Sequence, residues 1–79
     1  MELNFKVGDR VNIVTMMGPE RYRVWPSTII AIYKNGIYKV LPDNRKYDGY
    51  CYKFRPNGEM VNRTWKDWSY MKIEKREEG

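Results

Sequence analysis

The side chains that most often carry out catalysis or bind metals are scarce in this sequence. Its 79 residues include no histidine, which removes the commonest general base and a frequent metal ligand. Cys51 is the single cysteine, so it has no partner for an internal disulfide and no histidine to activate it as a nucleophile. The acidic residues show no metal-ligand spacing, and no glycine-rich phosphate loop is present. We therefore predict a non-enzymatic protein that binds no metal and no cofactor.

Contact with a polyanion is the chemistry that the sequence favours. Fifteen Lys and Arg residues against ten Asp and Glu give a net charge of +5. Between Arg45 and Lys66 there are six basic and two acidic residues, interspersed with tyrosine and tryptophan. Basic side chains neutralise phosphates, and an aromatic ring can stack on an unpaired base. The predicted nucleic-acid-binding residues are Arg45, Lys46, Tyr47, Lys53, Arg55, Arg63, Trp65 and Lys66.

Short strands must position these side chains, because no segment has a helical periodicity of useful length. Val11 and Ile13 alternate with polar residues in a first strand over 10–16, and strand-forming residues dominate a second strand over 27–34. A glycine-proline breaker predicts a loop of about eight residues, 17–24, between these strands.

The end of the chain has a separate pattern. Residues 65–69 suit a short 3₁₀ turn, and residues 70–74 alternate as a closing strand with Met71 and Ile73 facing inward. The last five residues, 75–79, are mixed in charge, and we expect them to form a frayed tail.

The dipeptide Asn35-Gly36 lies between two apolar runs and predicts a two-residue type I′ hairpin turn. That turn places Tyr33 directly opposite Tyr38. One face of the hairpin then forms the core, and it consists of Ile29, Ala31, Tyr33, Tyr38 and Val40.

A second hairpin is predicted around Asn57-Gly58, with arms over 50–55 and 59–65. One of its faces carries Tyr50, Tyr52, Phe54, Val61, Arg63 and Trp65. These aromatic residues could stack bases or could form a core-facing surface. In the second case Lys53 and Arg55, on the opposite face, still form a cationic strip suited to phosphates.

About five or six short strands without a helix favour a closed barrel, because closure protects strand edges that so short a chain could not otherwise cover. We therefore predict one all-β domain over residues 1–79. It is a small barrel of antiparallel strands with an added hairpin and a 3₁₀ turn before the last strand.

Three segments resemble the SH3-like small barrels of the Tudor and KOW type. Residues 7–11 resemble the entry to the first strand, residues 22–40 resemble the Tudor-like stretch, and residues 68–73 resemble the end of SH3-like barrels. This resemblance implies an SH3-like barrel and an aromatic cage for methylated lysine or arginine. The cage residues that it implies are Tyr22, Trp25, Tyr33 and Tyr47. The basic loop after Asp43 and the long second hairpin depart from the pattern.

Three binding functions follow, with nucleic acid, DNA or RNA, as the leading expectation. The alternative is a protein-interaction module or small inhibitor, of the kind a phage or other mobile element encodes, that docks on an acidic partner. The aromatic cage is the third. The single cysteine and the absence of a signal-like segment predict an intracellular, cytoplasmic protein, and no apolar run is long enough to span a membrane.

Overall fold

The computed structural model describes residues 4–45, 47–64 and 66–76, which fold into one curled antiparallel sheet. The strands are β1 (Arg10–Met17), β2 (Glu20–Ile32), β3 (Tyr38–Pro42), β4 (Tyr52–Phe54) and β5 (Ser69–Lys75). Their order across the sheet is β4-β3-β2-β1-β5. The helix found in the described residues is the 3₁₀ helix Asp43–Arg45, which is far too short to cross a membrane. The all-β prediction is confirmed.

The connection between β1 and β2 is a tight turn rather than the predicted loop over 17–24. Met17 pairs with Glu20, which leaves Gly18 and Pro19 as the two turn residues. Gly18 has a φ of 59°, the sign that the first central residue of a type II′ turn requires. Proline suits the second position because its ring fixes a negative φ. The prediction was wrong because this dipeptide reverses the chain at once, so that residues 20–24 extend β2.

The turn between β2 and β3 also differs from the prediction. The Tyr33 amide donates to the Ile37 carbonyl (2.9 Å), so the turn contains three residues, Lys34, Asn35 and Gly36. Among the described residues positive φ values occur only at glycines, and Gly36 has a φ of 86°. A three-residue turn needs one left-handed residue, whereas type I′ needs two. The predicted type I′ turn is therefore wrong, because glycine alone supplies the required conformation.

A β-bulge near Ile30 changes which side chains of β2 face the core. Ile29 pairs with Val40 and Ala31 pairs with Lys39, so Ile30 is the extra residue. Ile32, not Tyr33, is opposite Tyr38. A bulge shifts the alternation of side chains by one residue. Consequently Ile29 is buried but Tyr33, predicted to be in the core, is 40% exposed.

Replacing Gly36 with alanine is expected to lower the unfolding midpoint. The new Cβ would lie 2.9 Å from Cγ of Pro56. The alanine would also have to adopt the positive φ of Gly36. Strain of this kind costs about 2 kcal/mol, which corresponds to a fall in Tm of about 10 °C for a domain of this size. Thermal unfolding followed by circular dichroism measures it. Gly49→Ala is the control, since Gly49 has positive φ but no neighbour within 4 Å. Equal losses in both variants would show that the contact with Pro56 is unimportant.

The predicted second hairpin is much shorter than its sequence indicated. The Arg55 amide donates to the Glu59 carbonyl (2.7 Å), and Phe54 forms an isolated bridge with Met60. Beyond the bridges at Glu59 and Met60, the predicted return arm over 59–65 is not a strand in its described residues. The hairpin prediction is thus correct near its turn and wrong for its length.

The return arm instead pairs with the other edge of the sheet. Gly58 accepts a hydrogen bond from the Ile73 amide (2.7 Å), and the Met60 amide donates to the Met71 carbonyl (3.0 Å). Residues 58–60 therefore contact both β4 and β5, the two edge strands. Unpaired edges are costly, and this short segment satisfies part of each. The competing pairing with β5 is the reason why the long hairpin does not form.

The core lies on the concave side of the curled sheet. Its buried residues are Val11, Ile13, Ile29, Tyr38, Val40, Phe54 and Ile73. The inward orientation predicted for Ile73 is confirmed, and Met71 packs against the same cluster. The predicted core residue Ala31 is half-buried, on the far side of the bulge.

Near the end of the chain, the Asp67 amide donates to the Thr64 carbonyl (3.0 Å) in an isolated turn. The predicted 3₁₀ turn over 65–69 is not seen in its described residues, and Trp65 lies outside them. β5 includes Lys75, which pairs with Val11 and so does not belong to the predicted tail. Residues 77–79 are also outside the described part of the chain.

Candidate nucleic-acid interface

Two lysines face each other on the outer surface of the sheet. Lys39 of β3 is the direct partner of Lys53 of β4. Side chains opposite each other in an antiparallel pair share a face, with Cβ atoms about 5 Å apart, and like charges there destabilise the sheet. Neither lysine forms an ion pair with a residue that the structure describes. The pair therefore carries a local positive charge that the described chain leaves uncompensated.

An open groove of about 530 Å³ lies beside this pair. The ammonium of Lys53 is 5.5 Å from the centre of the Tyr33 ring, and Lys34 adds a second cation to the rim. The groove is lined by Tyr33, Lys34, Asn35, Ile37, Lys53 and Val61. No acidic residue is among them. We call Lys34, Lys39, Lys53 and Tyr33 the lysine face.

Each part of the lysine face is positioned by a feature already described. After the bulge near Ile30, Ala31 pairs with Lys39 and shares its outer side of the sheet. Tyr33, two residues further along, therefore lies on the same outer side. The three-residue turn carries Lys34. On the other rim, the Val61 amide donates to the Lys53 carbonyl (3.2 Å).

Arg55 supports the groove from behind. Its Nη2 donates to the Val61 carbonyl (2.7 Å), which fixes the segment that lines the rim. The sequence placed Arg55 among the phosphate contacts. In the structure its guanidinium is exposed but already has a partner within the chain.

Arginines elsewhere are largely neutralised. Among the residues that the structure describes, four ion pairs join arginines to acidic residues, and they are Arg10–Asp43, Arg21–Glu74, Arg45–Asp48 and Arg63–Glu59. Arg63, another predicted phosphate contact, is half-buried and also lies 3.6 Å from the centre of the Tyr70 ring. The free positive charge of the described surface is therefore carried more by lysines than by arginines.

Arg45 belongs to a second, charge-balanced surface. It pairs with Asp48 (2.9 Å) and lies 5.0 Å from the centre of the Tyr50 ring. Hydrogen bonds that the Arg45 guanidinium donates to the Tyr52 hydroxyl and to the Asp48 carboxylate raise the pKa of Arg45. The hydrogen bond that the Tyr50 amide donates is the main cause that lowers the pKa of the Asp48 carboxyl, and the hydrogen bond from Arg45 lowers it further. The charges of this loop thus satisfy each other.

A groove of about 360 Å³ adjoins Arg45, and aromatic rings wall it. Trp25 lies 6.3 Å from Tyr52, and Tyr52 lies 5.1 Å from Tyr50 in an edge-to-face contact. Trp25 and Tyr52 also pack against the core. The core-facing interpretation of the hairpin aromatics therefore holds for Tyr52 and Phe54.

The 3₁₀ helix that bears Arg45 is fixed by Arg10. Nη1 of Arg10 donates to Oδ1 of Asp43 (2.9 Å) and to the hydroxyl of Thr28. The hydrogen bond to Asp43 raises the pKa of the Arg10 guanidinium. This contact ties β1 to the start of the 3₁₀ helix across β2.

The remaining predicted contacts are dispersed. Tyr47 is fully exposed, with a relative accessibility of 106%. Lys66 is exposed and interacts within the chain. Lys46 and Trp65 lie outside the described residues. Of the eight predicted residues, Lys53 is the one that the structure places in the groove with uncompensated charge.

The four residues predicted for an aromatic cage lie in different surroundings. Trp25 contacts Tyr52, Tyr33 contacts Lys53, and the Tyr22 ring lies 5.3 Å from the guanidinium of Arg23. Within the described part of the chain, no ring contact joins two of the four. The cage stays a prediction.

Sequence reasoning missed Lys34 and Lys39. The meeting of Lys39 with Lys53 depends on the pairing of β3 with β4 across residues 43–51. The available signal was the lysine in the middle of each of two short strands. No family model matches the chain, and comparisons with curated proteins and with solved structures give no significant match.

Proposed function

We propose that this protein is a non-catalytic module that binds nucleic acid through the lysine face, on an SH3-like barrel. The observation that carries the proposal is the direct pairing of Lys39 with Lys53, without a described counterion, beside a groove that contains an exposed tyrosine. Two opposed cations cost stability in the free protein, and a bound polyanion removes that cost. An intracellular, cytoplasmic location accords with such a ligand.

The charge distribution supports a phosphate backbone as the ligand. Four arginines are held in ion pairs, whereas three lysines of the lysine face have none among the described residues. Lysine binds phosphate as a point charge, without the fixed geometry that arginine imposes. We therefore expect binding with little dependence on base sequence.

Titration with oligonucleotides at several salt concentrations tests the proposal. Neutralising three phosphates releases counterions, so log K should fall with log salt with a slope of about −2 for a single strand. Binding that is absent at low salt, or that ignores salt, would overturn the proposal.

Docking on an acidic protein is the other outcome that this surface allows. After nuclease treatment of a lysate, a partner that stays bound through the lysine face would favour that alternative, provided that oligonucleotides fail to bind. A methylated peptide that binds better than its unmethylated form would instead favour the cage.

A further inference from the structure

We infer that the ligand of the lysine face is single-stranded, and that one of its unpaired bases stacks on Tyr33. This inference rests on the proposed function and specifies which kind of nucleic acid is bound and by which ring. It assigns a role that the sequence had given to Tyr47 or Trp65.

The first support is the state of the Tyr33 ring. It is 40% exposed, and no aromatic ring among the described residues contacts it. The rings near Arg45 differ, because Trp25, Tyr50 and Tyr52 contact one another. Stacking needs a free π-face, and every base can use one whatever its sequence.

The second support is the arrangement of cations around that ring. Lys53 lies 5.5 Å from the ring centre, and Lys34 follows Tyr33 directly in the chain. A nucleotide stacked on the ring has a phosphate on either side of its sugar. Two cations in the groove that holds the ring therefore match one stacked nucleotide and its two phosphates.

The third support is the shape and lining of the groove. Ile37 and Val61 provide apolar surface beside Tyr33, and the volume of about 530 Å³ is that of a site for a small ligand. In a duplex the bases are stacked on each other and offer only their edges. An unpaired base can enter such a groove, whereas a base pair cannot.

Competition binding with three proteins tests this inference. A labelled oligothymidine is bound to the intact chain, then displaced by unlabelled single strand or by a duplex of equal length. The variants are Tyr33→Leu, which removes the ring, and Tyr33→Phe, which keeps it. Tyr22→Leu is the matched control, because Tyr22 is an exposed tyrosine (62%) of β2 that lies outside the groove.

We expect the single strand to compete better than the duplex. Loss of stacking in Tyr33→Leu should weaken single-strand binding by about fivefold to a hundredfold, while Tyr33→Phe and Tyr22→Leu bind as the original chain does. Thermal unfolding of each variant confirms that it is folded. Duplex binding should be nearly unchanged in Tyr33→Leu.

The contrary results differ in what they overturn. Equal affinity for single strand and duplex, or an unchanged affinity of Tyr33→Leu, overturns the inference while the proposed function stands. Equal losses for both ligands in folded Tyr33→Leu also overturn it, because the ring would then act on the shape of the face. Failure of every oligonucleotide to bind at low salt overturns the proposed function as well.

Discussion

Phe54→Ala is expected to remove a large part of the folding free energy of this domain. Phe54 is fully buried and has the largest fully buried side chain in the described part of the chain. It pairs with Tyr38 on β3 and bridges to Met60 in the segment that joins the two sheet edges. Truncation of a buried phenylalanine costs about 3–5 kcal/mol, whereas a chain of this length has a total stability of roughly 4–12 kcal/mol.

Urea unfolding followed by tryptophan fluorescence measures this loss. Phe54→Leu is the control, because it keeps most of the volume and should cost less than about 1.5 kcal/mol. The segment over 58–60 should also lose protection from amide exchange in Phe54→Ala, since Met60 packs against the core cluster that loses the ring. An unfolding midpoint equal to that of the original chain would contradict the assigned core.

The double variant Lys39→Gln with Lys53→Gln is expected to lose binding and keep its fold. It leaves one of three lysine contacts, so the salt slope for a single strand should fall in magnitude from about 2 to about 0.7. If the two binding curves meet near 1 M salt, the affinities differ by about 60-fold at about 50 mM salt. Fluorescence anisotropy measures both quantities.

A matched control separates this effect from net charge. Lys6→Gln with Lys75→Gln makes the same change, from +5 to 5 − 2 = +3, at exposed positions outside the groove. This control should bind nearly as tightly as the original chain. Equal losses in the two double variants would mean that overall charge, not the lysine face, drives binding.

The thermal stability of the double variant tests the Lys39–Lys53 pair independently of binding. Because Lys39 and Lys53 are directly opposed, their mutual repulsion disappears in the double variant. Its Tm should therefore equal or slightly exceed that of the original chain. A residue pair that lowers stability but raises binding is the pattern expected of a functional site. A marked fall in Tm would instead assign the pair a structural role.

Local sequence patterns predicted the parts of the fold that depend on local physics. The alternation around Val11 and Ile13 identified an inward face of β1, and the alternation around Ile73 identified that of β5. Glycines marked both hairpin turns after β2 and β4. These features need only the period of a strand and the conformational freedom of glycine.

The errors came from features without a local signal. Residues 29–33 are a continuous apolar run, so no alternation reveals the bulge near Ile30 that turns Tyr33 outward. The pairing of residues 58–60 with the distant strand β5 competes with the local hairpin to β4, and the sequence pattern around the turn shows only the hairpin. The dipeptide at 18–19 was read as a breaker, although glycine before proline also fits a tight type II′ turn.

The candidate site depended on both kinds of information. Composition predicted a cationic and aromatic surface that included Lys53, whereas the hairpin register assigned Tyr33 to the core and the resemblance assigned it to a cage. Ion pairs that form only in the folded chain then removed Arg45 and Arg63 from the free charge. The pairing of β3 with β4 added Lys39.

Chemical-shift mapping with a short single-stranded oligonucleotide tests the central claim most directly. A chain of 9.6 kDa gives well-resolved amide spectra, and the complex can be followed residue by residue. We expect the largest perturbations at Tyr33, Lys34, Lys39 and Lys53, and their loss at high salt. Perturbations centred on the groove beside Arg45, or none at low salt, would contradict the assignment of the lysine face as the nucleic-acid interface.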